Sequence, residues 1–374
     1  MLKVLHVPNY YKPHIGGIEQ TCHDIVESLK DQVLQKVICF SEDKKTKYQI
    51  IDDIDVVKCG VWKKMMSQSI SFSYKKELKK ILKDFNPDYM IVHFPNPFVI
   101  HYILKLIKRK RTKLLVWYHA DIVKQKIVGW FFKGQTKRLL SKAEHIICTS
   151  PLYSEASDSL KKFQDKITII PSCINEERLR ITEEVKVKAE AIKNDNLGKT
   201  IIFAVGRHVE YKGLTYLIEA SKYLNNSYAI YIAGQGPMTE ALKKQAKDDF
   251  KISFLGKIDD ISLNAWYLAM DIYAFPSITK NEAFGLSLAE AMYFAHPAVT
   301  FTILGSGVNY VCLNKETGLE VENKNAKAFA KALNQFGLDA TLRNEYGAAA
   351  RKRVEDNFTF DKFKLNVLTF ISKL

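Results

Sequence analysis

Glu282 and Glu290 stand eight residues apart in the stretch Phe275-Pro-Ser-Ile-Thr-Lys-Asn-Glu282-Ala-Phe-Gly-Leu-Ser-Leu-Ala-Glu290-Ala-Met292. An apolar run ends at Phe275, a loop then carries Glu282, and Glu290 falls on the first turns of a helical pattern whose Leu286, Ala289 and Tyr293 mark the inward face. Two carboxylates so placed suit acceptance of hydrogen bonds from sugar hydroxyls, one carboxylate to each ring. Solvated surface glutamates are the plainer alternative. A second pair is cationic. Arg207 and Lys212 lie five residues apart in Gly206-Arg207-His208-Val209-Glu210-Tyr211-Lys212-Gly213, just after the strand-like run 200–205. Fixed cations between a strand and a helix suit a diphosphate, although a solvated loop has the same composition. Gly16-Gly17 follows the first strand-like run and lets backbone N–H groups approach an anion at a helix start. A tight turn explains that pair equally well. Its surroundings match neither G-x-G-x-x-G nor the Lys-Ser/Thr of a P-loop, which excludes the usual NAD and ATP modes.

Metal chemistry finds little support in the spacing. Asp53-Ile-Asp55 has the form of a metal-holding Asp-x-Asp, with Asp52, Asp259 and Asp260 as further carboxylates. It sits in a polar connector remote in sequence from the donor-domain motifs, and two cations already offset a diphosphate, so no divalent ion is expected. His6, His14, His23, His93, His101 and His145 show no ligand spacing. The cysteines at 22, 39, 59, 148, 173 and 312 form no C-x-x-C pair and read as buried, reduced thiols.

The elements that must position these groups recur as strand, loop, helix. With 374 residues, 47% of them hydrophobic and 26% charged, the chain has material for two compact domains, and disorder, collagen and coiled coil are excluded. Short apolar runs at 2–7, 33–40, 89–93, 114–119 and 145–149 are separated by helical patterns, the first of them built on Ile18, Cys22, Ile25, Val26 and Leu29. A second series follows at 200–206, 229–234, 252–255, 272–275 and 298–301. The fold class is therefore α/β, with two doubly wound domains whose ligands belong at the carboxyl ends of strands in a cleft. Residues 176–199, rich in Glu, Lys and Asn, read as a solvated connector. The expected domains are 1–180 and 181–358, and the amphipathic helix 359–374 is expected to pack back on the first. The N-terminal run is too brief for a signal-peptide core, and no stretch has the ~18 uninterrupted apolar residues of a membrane span, so the expected location is cytoplasmic.

At this point the sequence resembles the retaining nucleotide-sugar glycosyltransferases of the GT-B fold, family 4. The matching blocks run in family order over nearly the whole chain. They are Gly16-Gly17, Tyr118-His119-Ala120-Asp121, Gly206-Arg207 to Lys212-Gly213, Ala233-Gly-Gln-Gly-Pro237, Glu282 to Glu290 with Phe284-Gly285, and Gly305-Ser-Gly-Val308 followed by Thr317-Gly318-Leu319. The resemblance implies that the second domain binds the donor, with Arg207 and Lys212 on its diphosphate, Glu290 on the ribose hydroxyls and Glu282 on the transferred sugar. Backbone groups of Phe284, Gly285 and Leu286 would approach the donor, Gly17 would contact phosphate, and His119 would reach the sugar near its reacting carbon. Ala120, where His-Asp or His-Ser is frequent, and Phe294-Ala-His-Pro297 are departures that leave those assignments standing. The same resemblance implies retention of anomeric configuration without a protein nucleophile, no metal and no cofactor beyond the nucleotide-sugar substrate. The blocks around His119 and Glu282 look like those of mannosyl- and rhamnosyltransferases, which tilts the donor toward a guanosine diphosphate sugar.

Charge bears on the acceptor. Lys and Arg number 56 against 41 Asp and Glu, a net +15. Between Gly60 and Lys113, thirteen basic residues face three acidic ones, a surplus of ten. Interleaved with Trp62, Met65, Met66, Ile70, Phe72 and Tyr74, they read either as a solvated face or as a surface that docks on anionic lipid at the inner face of the plasma membrane. The second reading suits a lipid-linked glycan or glycolipid acceptor in surface-polysaccharide synthesis. Nucleic acid is not expected, because no nucleic-acid motif accompanies the basic run. The competing readings are a nucleotide-sugar 2-epimerase of the same fold and a non-catalytic membrane-binding protein with a degenerate cleft.

Overall fold

A computed structural model describes residues 1–14, 16–65, 68–107, 111–121 and 126–374, the side chains of 65, 68 and 126–131 excepted. The chain divides into two compact units, one of residues 1–172 with 363–374 and the other of 173–362. The division falls before the 180/181 boundary expected from composition because Ile174 and Leu179 are buried in the second unit's core, where the Ile174 N–H donates to the Phe358 carbonyl.

The first unit is built on an eight-stranded sheet. Its strands are β1 (Lys3–Val7), β2 (Leu34–Phe40), β3 (Lys47–Ile51), β4 (Ile54–Cys59), β7 (Tyr89–Phe94), β8 (Lys113–Tyr118), β9 (Ala143–Cys148) and β10 (Ile167–Ile169), while β5 (Lys63–Met65) and β6 (Gln68–Ile70) form a separate hairpin. The sheet order is β10-β9-β8-β7-β1-β2-β4-β3, parallel except at β3–β4. All of β7 is buried, as a central parallel strand covered on both faces must be. Asp52 and Asp53 form the β3–β4 turn with positive φ, so the Asp53/Asp55 stretch belongs to a sheet-edge hairpin and not to a connector. Their charges meet lysines: Lys12 with Asp52 at 2.8 Å, Lys30 with Asp53 at 3.5 Å and Lys36 with Asp55 at 2.8 Å.

The second unit has six parallel strands, β11 (Thr200–Val205), β12 (Tyr228–Ala233), β13 (Ile252–Gly256), β14 (Ile272–Phe275), β15 (Ala298–Phe301) and β16 (Gly318–Val321), ordered β13-β12-β11-β14-β15-β16. Counted within the unit this is 3-2-1-4-5-6, the doubly wound order, and the winding reverses between β11 and β14. The loops leaving those two strands carry Arg207–Lys212 and Glu282.

The connector expected at 176–199 contains the helix Glu183–Asn194, capped by the Thr182 hydroxyl. Its low apolar content conceals a stripe: Val185, Ala189 and Ile192 pack on Ala265, Leu268 and Ala269 of the helix Asp260–Ala269. Apolar residues at i, i+4 and i+7 suffice to pair the two helices while the charges stay outside.

The C-terminal helix Phe360–Ile371 buries Phe363, Val367 and Phe370. The Phe363 ring lies 6.1 Å from Trp117, and Phe370 meets His145 edge-on at 5.3 Å. The Tyr89 hydroxyl donates to the Leu374 carbonyl, so these last residues belong to the first unit's core. No helix among the described residues is long and apolar enough to cross a membrane. All six cysteines are free and buried.

Candidate active site

The loop after β11 closes a single turn, Glu210–Lys212, and then passes through Gly213 with φ of 62°. A Cβ there would stand 2.0 Å from the Pro276 carbonyl oxygen, so only glycine lets this loop lie against the one that follows β14. That contact places the Lys212 ammonium 2.5 Å from Glu282 Oε2. Both side chains are largely buried, and Ser277 Oγ donates to the same carboxylate oxygen at 3.2 Å. The Lys212 ammonium also lies 5.0 Å from the centre of the Phe275 ring, at the end of β14. The Ser306 hydroxyl donates to the Glu282 carbonyl and holds the loop from its far side. Arg207 is exposed, on the same β11 loop.

Gly285, with φ of 92°, turns the chain into the helix Leu286–Tyr293. The buried residues of that helix are Leu288, Ala289, Glu290, Ala291 and Met292, with Leu286 and Tyr293 half-buried against the same core, so the inward face is broader than the one read in the sequence. Glu290 consequently lies inside. Its carboxylate takes an ion pair from Arg178 and a hydrogen bond from the Tyr267 hydroxyl at 3.0 Å, and Arg178 also reaches Asp260 at 3.0 Å. Burial pushes the Glu290 carboxyl above its ordinary range, with Arg178 and Tyr267 pulling the other way. The structure therefore groups Lys212 with Glu282 and groups Glu290 with Arg178. Arg178 was missed in the sequence because it precedes its partner by 112 residues and stands in what reads as a connector.

The remaining candidates belong to the first unit. Gly16 is extended, with φ of −175°, and caps the helix Gly17–Ser28. A Cβ on Gly16 would lie 2.3 Å from a Glu19 carboxylate oxygen, so the chain's own acid already sits against this glycine. Burial raises the Glu19 carboxyl above its usual range. Ile15, between the first strand and this pair, lies outside the described residues. His119 follows β8, its N–H donating to the Phe94 carbonyl. Its Nε2 lies 3.0 Å from His93 Nδ1, and burial holds the imidazole down at about 3, hence neutral near pH 7. Asp121 accepts from the Tyr118 hydroxyl at 2.6 Å and from Ser157 at 2.7 Å, which pins the loop after His119. A cavity of about 490 Å³ opens at the ends of β1 and β2, lined among others by Tyr10, Tyr11, Lys12, Phe40, Lys47 and Lys58.

Among the described residues, the His, Cys, Asp and Glu side chains near enough to share one ion are His6, Cys22 and His93, from three separate elements. Spacing along the chain gives no sign of that grouping.

Comparison with known proteins agrees with the two-unit organisation. Residues 15–178 match the family model described as Glycosyltransferase Family 4, and residues 186–353 match the one described as Glycosyl transferases group 1. The O-antigen chain mannosyltransferase C of Escherichia coli is 28% identical over 366 residues, covering 96% of this chain and 95% of that protein. The D-rhamnosyltransferase WbpZ of Pseudomonas aeruginosa is 27% identical over 366 residues, covering 96% and 92%. In structure, the chain is similar to sucrose-phosphate synthase from Thermosynechococcus elongatus, with a TM-score of 0.82, 18% identity and coverage of 100% and 99%. It is similar also to HepE of Anabaena, solved in complex with UDP, with a TM-score of 0.79, 14% identity and full coverage of both chains.

Proposed function

The chain belongs to the family 4 glycosyltransferases of GT-B fold, and on that footing we propose that it transfers a hexose from a nucleoside diphosphate sugar to a lipid-linked glycan in bacterial surface-polysaccharide synthesis. The observation that carries this reading is the pairing of Lys212 with Glu282 where the second sheet reverses its winding. A cation and a carboxylate delivered there by adjacent loops match the two ends of a sugar diphosphate, the phosphates taking Lys212 and Arg207 and the sugar hydroxyls donating to Glu282. Glu290, paired with Arg178, is assigned the ribose hydroxyls. Backbone N–H groups at Phe284, Gly285 and Leu286 face the donor, and Gly16 and Gly17 are assigned to phosphate. The neutral His119 is given a hydrogen bond to the sugar, not an acid's role.

The transfer we propose retains configuration. The anomeric C–O bond to the diphosphate breaks, with its electron pair leaving on the diphosphate. The acceptor oxygen bonds the anomeric carbon on the same face, and its proton passes to a diphosphate oxygen. Stabilisation of the leaving charge by Arg207 and Lys212 is then the main catalytic device, and neither a protein nucleophile nor a divalent ion is needed. A guanosine diphosphate donor is favoured by the mannosyl- and rhamnosyltransferase relatives. A GDP-mannose-dependent mannosyltransferase of Mycobacterium tuberculosis, 24% identical over 214 residues, favours it also.

The acceptor side is proposed to meet anionic lipid at the cytoplasmic face of the membrane. Trp62 and Phe72 are 57% and 75% exposed and their rings stand 5.3 Å apart, beside the exposed Lys63, Lys64, Lys75, Lys76, Lys79 and Lys80. Exposed aromatics in a segment rich in exposed lysines suit an anionic interface. Met66 and residues 108–110 of the same basic stretch lie outside the described residues.

The test is a thermal-shift screen against GDP, UDP, dTDP and ADP in the presence of EDTA, followed by transfer assays with the matching sugars. A rise in melting temperature with GDP, with transfer of a sugar from the matching donor and the α or β form kept, is expected. Absence of any shift in folded protein would defeat the donor-site reading, and inversion of the anomeric centre would defeat the mechanism.

A further inference from the structure

His6 lies on β1 opposite Ile91 of β7. His93 is two residues further along β7, and alternation along a strand puts both imidazoles on one face of the sheet. Cys22, on the helix Gly17–Ser28, clusters with Val37, Cys39 and Val56 of the first sheet. One donor atom from each of the three lies within 4.8 Å of the other two, and all three side chains are fully shielded from solvent.

The hydrogen bonds leave a particular pair of nitrogens over. His6 Nε2 lies 2.9 Å from Gln35 Oε1, which only accepts, so the His6 proton is on Nε2 and Nδ1 keeps its lone pair. Gln35 is itself oriented by donating its amide N–H to the Val26 carbonyl at 3.0 Å. His93 uses Nδ1 on His119, and among the described residues its Nε2 has no partner, as His6 Nδ1 has none. Two buried, unpaired imidazole nitrogens beside a thiol are costly unless something binds them.

We propose that His6, Cys22 and His93, none of them assigned to sugar transfer, bind a zinc-class ion, Zn(II) or Cu(I). Two imidazoles and a thiolate, with no carboxylate, select a late first-row ion over Mg(II) or Ca(II). Nitrogen and sulfur donors at about 2.0–2.3 Å from one ion stand roughly 3.5–4 Å from each other, so the cage closes on it by side-chain shifts of about an ångström. Binding releases one proton: the Cys22 S–H bond breaks, the sulfur keeps the pair as it bonds the metal, and the proton leaves to water. Gln35 then serves as the hydrogen-bond partner that orients one ligand and His119 as the partner of the other. An ion on His93 Nε2 keeps the His93 proton on Nδ1, where it donates to His119 Nε2.

The full chain, produced without a histidine tag in zinc- and copper-supplemented cultures and purified without chelator, is assayed for bound metal by elemental analysis. Roughly one ion per chain is expected from one of the two cultures. That content should be lost in Cys22→Ser and in His6→Gln and kept in Cys148→Ser, a buried cysteine outside the cluster. Refolding the chelated protein with Co(II) should give a thiolate-to-cobalt charge-transfer band that Cys22→Ser lacks. If Cys22→Ser proves unfolded, that band in the parent protein decides alone. Folded parent protein with neither metal nor band, or a folded Cys22→Ser variant with unchanged metal, would overturn the proposal.

Discussion

Lys212 Nζ and Glu282 Oε2 stand 2.5 Å apart, joined across the two loops that leave the second sheet where its winding reverses. Because the two groups hold each other, substitutions at these positions should be strongly non-additive. In the proposed transfer, Lys212→Ala and Glu282→Ala each lower kcat by about 10²–10³. The double variant should lose less than the product of the two. Lys212→Ala alone should also abolish the thermal shift with a nucleoside diphosphate. Equal, multiplicative losses with the shift intact would show that the pair is incidental.

Glu290 tests a buried charge. Its carboxylate is about one-tenth exposed and rests on Arg178, which is about one-third exposed. Arg178→Met leaves the acid unpaired and should cost about 1–3 kcal/mol in urea denaturation, less than a fully buried pair because Arg178 still reaches water. Arg178→Met with Glu290→Gln should recover most of that loss, and an additive double variant would contradict the coupling.

Gly213 tests the contact between the two loops. Alanine there must hold φ near 62° and place its Cβ 2.0 Å from the Pro276 carbonyl oxygen. A loss of about 1–3 kcal/mol is expected. If the loops separate instead, stability is preserved but transfer falls with the Lys212–Glu282 geometry. Alanine without effect on either measure would mean that the contact is dispensable.

His296 gives a pH signature. Burial, aided by Lys193 and Arg343, holds this imidazole at about 4 against an ordinary value of 6.5. Between those values the unfolded chain binds the proton and the folded chain does not, so stability rises with pH. The contribution is therefore complete above pH 6.5, falls as the pH drops toward 4, and amounts to at most about 3 kcal/mol. His296→Gln should flatten the wild-type slope of unfolding free energy over that window. An unchanged slope would place the titration elsewhere.

The Trp62–Phe72 surface is tested by sedimentation with vesicles. Binding should require anionic lipid, weaken with salt, and fall at least several-fold in Trp62→Ser with Phe72→Ser while transfer to a soluble acceptor persists. Equal binding to neutral vesicles would remove the electrostatic part of the reading.

What the sequence determined by itself is what repeats locally. Central strands such as β7 and β11 show as continuous apolar runs because both faces of a parallel sheet are covered, and the helix Gly17–Ser28 shows because its buried residues recur at helical spacing. Loop-and-strand order likewise puts Arg207, Lys212 and Glu282 at the carboxyl ends of strands. The signal weakens where burial is partial or residues are small. The edge strand β3, its neighbour β4 and the helix Glu183–Asn194, whose stripe is mostly alanine and valine, therefore read as polar connector. Tertiary structure alone decided the pairings between distant positions: Arg178 with Glu290, Ile174 with Phe358, and His6, Cys22 and His93 around one point. Those contacts depend on strand order and register, which bring residues tens to more than a hundred positions apart into reach and leave no period in the sequence to read.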